Sequence, residues 1–99
     1  MRSKMLLTYN IVPHVQDEYM QFMMNVFMPV MERLGLENAG VWHTAYGNYP
    51  MRLLAFVAEE ETLRAALADA RWHNAEARLK QYVTDYTCRI VPDQSGFQF

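Results

Sequence analysis

The chain of 99 residues has a single cysteine, Cys88, no run of Lys and Arg, and no long apolar stretch. Each shortage excludes something. One cysteine closes no intrachain disulfide, and there is no CxxC or Cys/His ligand spacing, a usage that fits a reducing compartment. Nine basic residues stand against eleven acidic ones, a formal charge of −2. Mild acidity without a basic cluster argues against nucleic acid or an anionic membrane as main partner. No stretch reaches about 18 apolar residues without charge, so no segment is expected to span a bilayer. Met1-Arg2-Ser3-Lys4 followed by apolar residues starts like a signal peptide. Thr8, Tyr9 and Asn10 then interrupt the run and Pro13-His14 follow, leaving it too short for the apolar region of such a signal. The expectation is a soluble cytoplasmic protein with neither nucleic-acid nor membrane partner. Gly-rich phosphate loops, GxSxG, HExxH and Walker patterns are missing. The triplet Glu59-Glu60-Glu61 has no histidine spaced to join it around a metal. No cofactor and no metal are expected.

What is present is a globular composition, 52% apolar and 20% charged. A chain this short buries roughly 65% of its unfolded surface, enough for one core and not two. Without linker or repeat, residues 1–99 read as one domain, with 93–99 as a C-terminal tail. Met5 to Val12 reads as a strand ended by Pro13. From Val15 to Leu34 the pattern is helical. Met20, Met24, Phe27, Met31 and Leu34 fall on one stripe, Pro29 is expected to kink the end, and Gly35 to close it with Leu36 reaching back to Met31. Ala39 to Tyr46 and Met51 to Ala58 form a hairpin through the turn Gly47-Asn48-Tyr49-Pro50. A helical segment runs from Glu59 to Asp69, with Glu60 and Arg64 available as an i,i+4 pair. Asp69 caps a further helix to about Thr84, with Trp72, Ala75, Leu79 and Val83 on one face. Tyr86 to Val91 is the fourth strand.

The order βαββαβ is that of an α+β, ferredoxin-like domain, a four-stranded antiparallel sheet with helices on one face. A sheet with one wet face alternates apolar and polar residues. Leu53-Leu54-Ala55-Phe56-Val57 and Met5-Leu6-Leu7 do not alternate, so both faces are expected to be buried. The chain has helices for one face only. A second copy packed sheet to sheet would cover the other, and a homodimer is expected. On this reading an aspartate at Phe56 would abolish dimerisation.

Residues 28 to 92 carry a resemblance. Met28-Pro29-Val30-Met31-Glu32-Arg33-Leu34-Gly35, then Gly40-Val41-Trp42-His43-Thr44 and Gly47, then Leu67-Ala68-Asp69-Ala70-Arg71-Trp72, then Ile90-Val91-Pro92, together resemble the NIPSNAP family. The chain departs where that family has Pro-Gly after the first strand; here it is Pro13-His14. The resemblance implies a dimeric α/β barrel, the superfamily to which NIPSNAP proteins belong. It implies little chemistry, since the wider superfamily holds cofactor-independent monooxygenases, haem-degrading enzymes, isomerases and proteins with no known reaction.

Candidate site residues follow from strand parity. Thr8 and Asn10 share one face of the first strand, Thr87 and Arg89 one face of the fourth, and Arg52 shares parity with Leu54 and Phe56. A few polar groups among apolar walls make a small-ligand pocket. Thr8, Asn10, Trp42 and Arg89 are the candidate contacts for a small apolar or aromatic ligand in a cavity between sheet and helices. The alternative is a cofactor-independent monooxygenase or isomerase acting on a small aromatic or polyketide-like substrate. His43 or His14 would then be the base, with Arg89 and Asn10 holding an oxyanion. No acidic neighbour in sequence orients His43, and His14 lies in a loop. Trp72 and His73, with Asn10, resemble haem-degrading relatives. Adjacent helical positions point about 100° apart, however, and Trp72 reads as core.

Overall fold

The computed structural model describes residues 1–44 and 51–93. The element order is β1 (Arg2–Ile11), a 3-10 turn (Pro13–Val15), α1 (Gln16–Phe22), a π turn (Met23–Phe27), α2 (Met28–Arg33), β2 (Glu37–Thr44), β3 (Met51–Glu59), α3 (Glu60–Leu67), α4 (Ala70–Leu79) and β4 (Val83–Pro92). The strands form one antiparallel sheet in the order β2-β3-β1-β4, the ferredoxin-like arrangement the sequence predicts. The turn expected at 47–50 and the tail from 94 lie outside the described residues.

The helices cover one face. Met5, Leu7, Tyr9 and Ile11 of β1 and Leu54, Phe56 and Ala58 of β3 share a single core with Tyr19, Phe22, Phe27, Met31, Trp72 and Leu79. Phe27 is at its centre, with no exposed surface and its ring against those of Phe22, Phe56 and Trp72 at 6.0–6.3 Å. Phe56 thus belongs to the helix-covered side. A charge there would strike the subunit's own core and not a sheet-to-sheet contact.

The long helical segment departs from the expected stripe. Tyr19, Met23, Phe27 and Met31 are buried, whereas Met20 and Met24 are exposed. A stripe at every fourth residue drifts about 40° per step around a regular α-helix. The π turn winds more residues per turn and removes much of that drift, holding the fourth-residue stripe over the core. Met28 donates to the Met23 carbonyl five residues back. Pro29 directly follows, at the start of α2. Its ring would crowd the carbonyl four residues earlier in a regular helix, and the wider turn relieves this. The proline therefore sits after a bulge and not at a break.

Two helix ends match the sequence reading. Leu36 donates to the Met31 carbonyl and Gly35 to that of Glu32, both at 3.0 Å, with Gly35 at φ +82°. This pair of bonds is a Schellman end. A Cβ on Gly35 would also stand 3.1 Å from Thr62 Cγ2. Gly35→Ala is expected to lower unfolding free energy by about 1–2 kcal/mol, read as a fall in urea midpoint at unchanged slope.

At the other cap, the Asp69 carboxylate accepts from the Arg71 backbone N–H at 2.8 Å and from the Arg71 guanidinium at 2.9 and 3.1 Å. The Arg71 side chain first, then its backbone N–H, hold the Asp69 carboxyl at about 2. Folding lowers this pKa, so its contribution is complete above the ordinary value near 3.8 and disappears as pH falls towards 2. Urea midpoints measured from pH 5 to 2 should fall less steeply below pH 4 in Asp69→Asn, which keeps a capping side chain but loses the charge.

Helix α4 ends at Leu79, and Val83 opens β4 while staying in the core. The expected helix to Thr84 stops early, because Lys80, Gln81 and Tyr82 close it with turn hydrogen bonds to the Glu76, Arg78 and Leu79 carbonyls. Glu60 and Arg64 pair at 2.9 Å as expected.

Candidate functional site

The sheet sorts the candidate residues onto two sides. Register places Thr8 beside Leu53 and Thr87, Leu6 beside Ala55 and Arg89, and Trp42 beside Leu53. Thr8, Asn10, Trp42 and Arg89 therefore share the face without helices. Thr8 and Thr87 hydrogen-bond through their hydroxyls. Asn10 Nδ2 donates to Asp85 Oδ2 at 2.9 Å, where Asp85 sits at φ +54° beside a register shift between β1 and β4. Both side chains are committed within the sheet, and the bulge turns Asp85 towards Asn10. Arg89 is exposed. The Trp42 indole lies back along this face over Gly40, leaving no room for a Cβ there.

This face is divided in character. Its β2–β3 half carries Trp42, Met51, Leu53, Ala55 and Val57, with Leu6 next to them, while its β1–β4 half carries the threonines, Asn10 and Arg89. Leu6 and Ala55 are buried, Leu53 and Val57 half-buried, and Trp42 and Met51 exposed. At the edge, Lys4 lies 3.7 Å from the Asp93 carboxylate.

The two candidate bases lie elsewhere. His14 is exposed in the 3-10 turn after β1. His43 is exposed on the helix-covered side of β2, in register with Arg52 of β3. His43 and Arg89 thus stand on opposite faces of the sheet, and the structure does not bring them together. Arg52 also separates from Thr8, Asn10, Thr87 and Arg89. Its parity with Leu54 and Phe56 places it on the helix side.

There the structure assembles a cluster of its own. Tyr9 of β1 and Tyr19 of α1 are buried, with hydroxyls 2.5 Å apart and rings edge-on at 5.9 Å. Arg52 reaches over the Tyr19 ring, Cζ 5.6 Å from its centroid, and points Nη2 at Met20 Sδ, 3.7 Å away. The Arg52 Nε is buried with no hydrogen-bond partner among the described residues. Behind this, the Tyr86 ring stacks on Tyr9 at 6.5 Å and its hydroxyl donates to Glu76 Oε2 at 2.7 Å. Burial, and then the neighbouring Tyr19, push the Tyr9 hydroxyl pKa up, and burial does the same for Tyr19 and Tyr86. All three stay protonated at neutral pH as hydrogen-bond donors. The signal for this cluster was a charged residue, Arg52, in step with core residues on β3. The tyrosines are too many for sequence to select Tyr9 and Tyr19.

Three surface grooves are separate from these residues. One of about 390 Å³ lies between α2 and α3, lined by Arg33, Thr62 and Arg71 among others. Another of about 300 Å³ lies beside α1 and Arg78. A smaller one of about 180 Å³ lies between α3 and Ile90.

No family model matches the sequence, and no curated protein does. Solved structures do. A NIPSNAP family protein from Agrobacterium tumefaciens superposes with a TM-score of 0.69 at 15% identity, covering 96% of this chain and 95% of its own. An uncharacterized NIPSNAP domain protein from Burkholderia xenovorans matches over 100% of both chains, with a TM-score of 0.67 at 14% identity. A protein of unknown function from Bacteroides thetaiotaomicron, described as a possible oxidoreductase, matches at 0.68 with 6% identity over 90% of this chain and 94% of that one. At such identities the likeness is one of fold: the chain folds as NIPSNAP family proteins do.

Proposed function

We propose that this chain forms a NIPSNAP-like α/β-barrel homodimer, sheet against sheet, and that each subunit binds a small apolar or aromatic ligand between its sheet and its helices. The dimer is supported by the uncovered face, where Trp42, Leu53, Val57 and Met51 would lose their contact with water. The observation that carries the ligand is the juxtaposition of Arg52 and the Tyr9–Tyr19 pair with Met20 at one end of the sheet. Arg52 is half-buried and Met20 exposed beside the buried tyrosine pair, and few polar groups placed among apolar ones are how small-molecule sites are built. Met20 adds a soft, adaptable wall.

The test uses the methionines as reporters. With methyl-labelled methionine, adding a small aromatic should move the Met20 resonance. A response confined to Met51, on the other face, or no response at all, would contradict the site. A monooxygenase or isomerase is favoured by one observation, the exposed His43 in register with Arg52. On that reading His43→Ala would abolish turnover of a bound aromatic while leaving its binding unchanged.

A further inference from the structure

The Arg52 cluster is unbalanced in a way that identifies what it would accept. Among the described residues no carboxylate lies within ion-pairing distance of Arg52, and its one polar contact is the Met20 thioether, a weak acceptor. Its Nε–H is buried and has no acceptor among the described residues. A buried donor without a partner costs free energy that a ligand atom would recover on binding. The tyrosine pair has the same bias. Two hydroxyls share one hydrogen bond, so one O–H proton is left over, and no acceptor for it is found among the described residues. The cluster therefore offers a cation and a spare hydroxyl proton and, among the described residues, no carboxylate to meet them. Around these donors lie the Tyr19 ring and Met20, both apolar, with Met20 partly in water.

We propose that the helix-side cluster of Arg52, Tyr9 and Tyr19 is an oxyanion-binding site, and that the ligand is a small aromatic or apolar carboxylate. The carboxylate accepts from the Arg52 guanidinium and from the free tyrosine hydroxyl, while the apolar body lies against Met20. A charge-assisted bond to a guanidinium in a partly dry setting is stronger than one between neutral groups. This rests on the ligand-binding reading above and deepens it by naming the charge of the ligand.

The experiment compares benzoate with benzamide, a neutral molecule of the same shape, by calorimetric titration of the full chain, and repeats both with Arg52→Met and Tyr9→Phe. Benzoate is expected to bind at least about tenfold more tightly than benzamide, and Arg52→Met to abolish that preference. Tyr9→Phe leaves Tyr19 with one unshared O–H proton, the same number the pair has to spare, so the preference for benzoate should survive it, and its loss there would count against the proposal. Arg52→Met without ligand should melt no lower than the parent, because it removes an unsatisfied buried donor; a guanidinium with a purely structural role would make it melt lower. Equal binding of the two probes would overturn the oxyanion proposal and leave a neutral aromatic site standing. Benzoate binding that is unchanged in Arg52→Met would overturn it too. Binding of neither probe would overturn both the proposal and the ligand-binding reading beneath it.

Discussion

Leu53→Asp is expected to turn the proposed dimer into a folded monomer. Leu53 lies in register between Trp42 and Thr8 on the face without helices, half-buried in the isolated subunit. It touches neither the Phe27 core nor the tyrosine cluster on the other side. In a sheet-to-sheet dimer this position would face the partner, and each copy would bury one unpaired carboxylate. Leaving a charge buried and unpaired costs on the order of 3 kcal/mol, and the symmetry of the dimer counts it twice. Every 1.4 kcal/mol is tenfold in dissociation constant, so the shift is about ten-thousandfold. The circular dichroism spectrum should stay that of the parent while the sedimenting mass halves. A variant that still sediments as a dimer would mean that the uncovered face is not the interface.

Phe27→Ala is expected to cost about 3–5 kcal/mol, the range for deleting a buried aromatic ring. Such a loss is a large part of the roughly 5–15 kcal/mol available to a small domain. At about 4–8 °C per kcal/mol the melting temperature would fall by some 15 °C or more. Parent and variant must be compared at one protein concentration, since the proposed dimerisation would itself add stability. Met24→Ala is the matched control. A regular helical stripe through Met20 and Met24 makes Met24 a core residue, whereas the π turn leaves it 68% exposed. Its removal should therefore change stability by no more than about 0.5 kcal/mol. A large effect at Met24 would contradict the helix register described here.

The contrast shows which features local patterns encode. Strand order and antiparallel pairing follow from βαββαβ. The Gly35 end and the Asp69 cap follow from single residues whose backbone or side-chain chemistry has few other uses. The π turn was not legible, because a stripe such as Met20, Met24, Phe27, Met31 suits a regular helix as well as Tyr19, Met23, Phe27, Met31 suits a bulged one. Only packing against the sheet decides between them. The unbroken run Leu53–Val57 announces two apolar faces but not which residue takes which. Pairing with β1 puts Leu54 and Phe56 inside with Leu7 and Met5. The early end of α4 at Leu79 escaped notice because Val83 is buried either way, on a helix or on a strand.

The candidate site was legible in part for the same reason. Parity groups Thr8 with Asn10 and Thr87 with Arg89, and β1–β4 pairing brings them onto one face, but parity says nothing of commitments. The Thr8–Thr87 bond joins direct register partners, and the Asn10–Asp85 bond forms beside a bulge where Asp85 takes a positive φ. Arg52 was visible as a cation in step with core residues. The partners that make it distinctive, Tyr19 and Met20, come from α1, about thirty residues earlier in the chain.

Sedimentation equilibrium of the unmodified chain at micromolar concentration decides whether a second copy covers the bare face of the sheet. The expected mass is twice the 11.6 kDa of one chain, maintained on dilution through the micromolar range. A well-folded species of 11.6 kDa would show that one copy needs no second to cover its sheet, and would contradict the barrel.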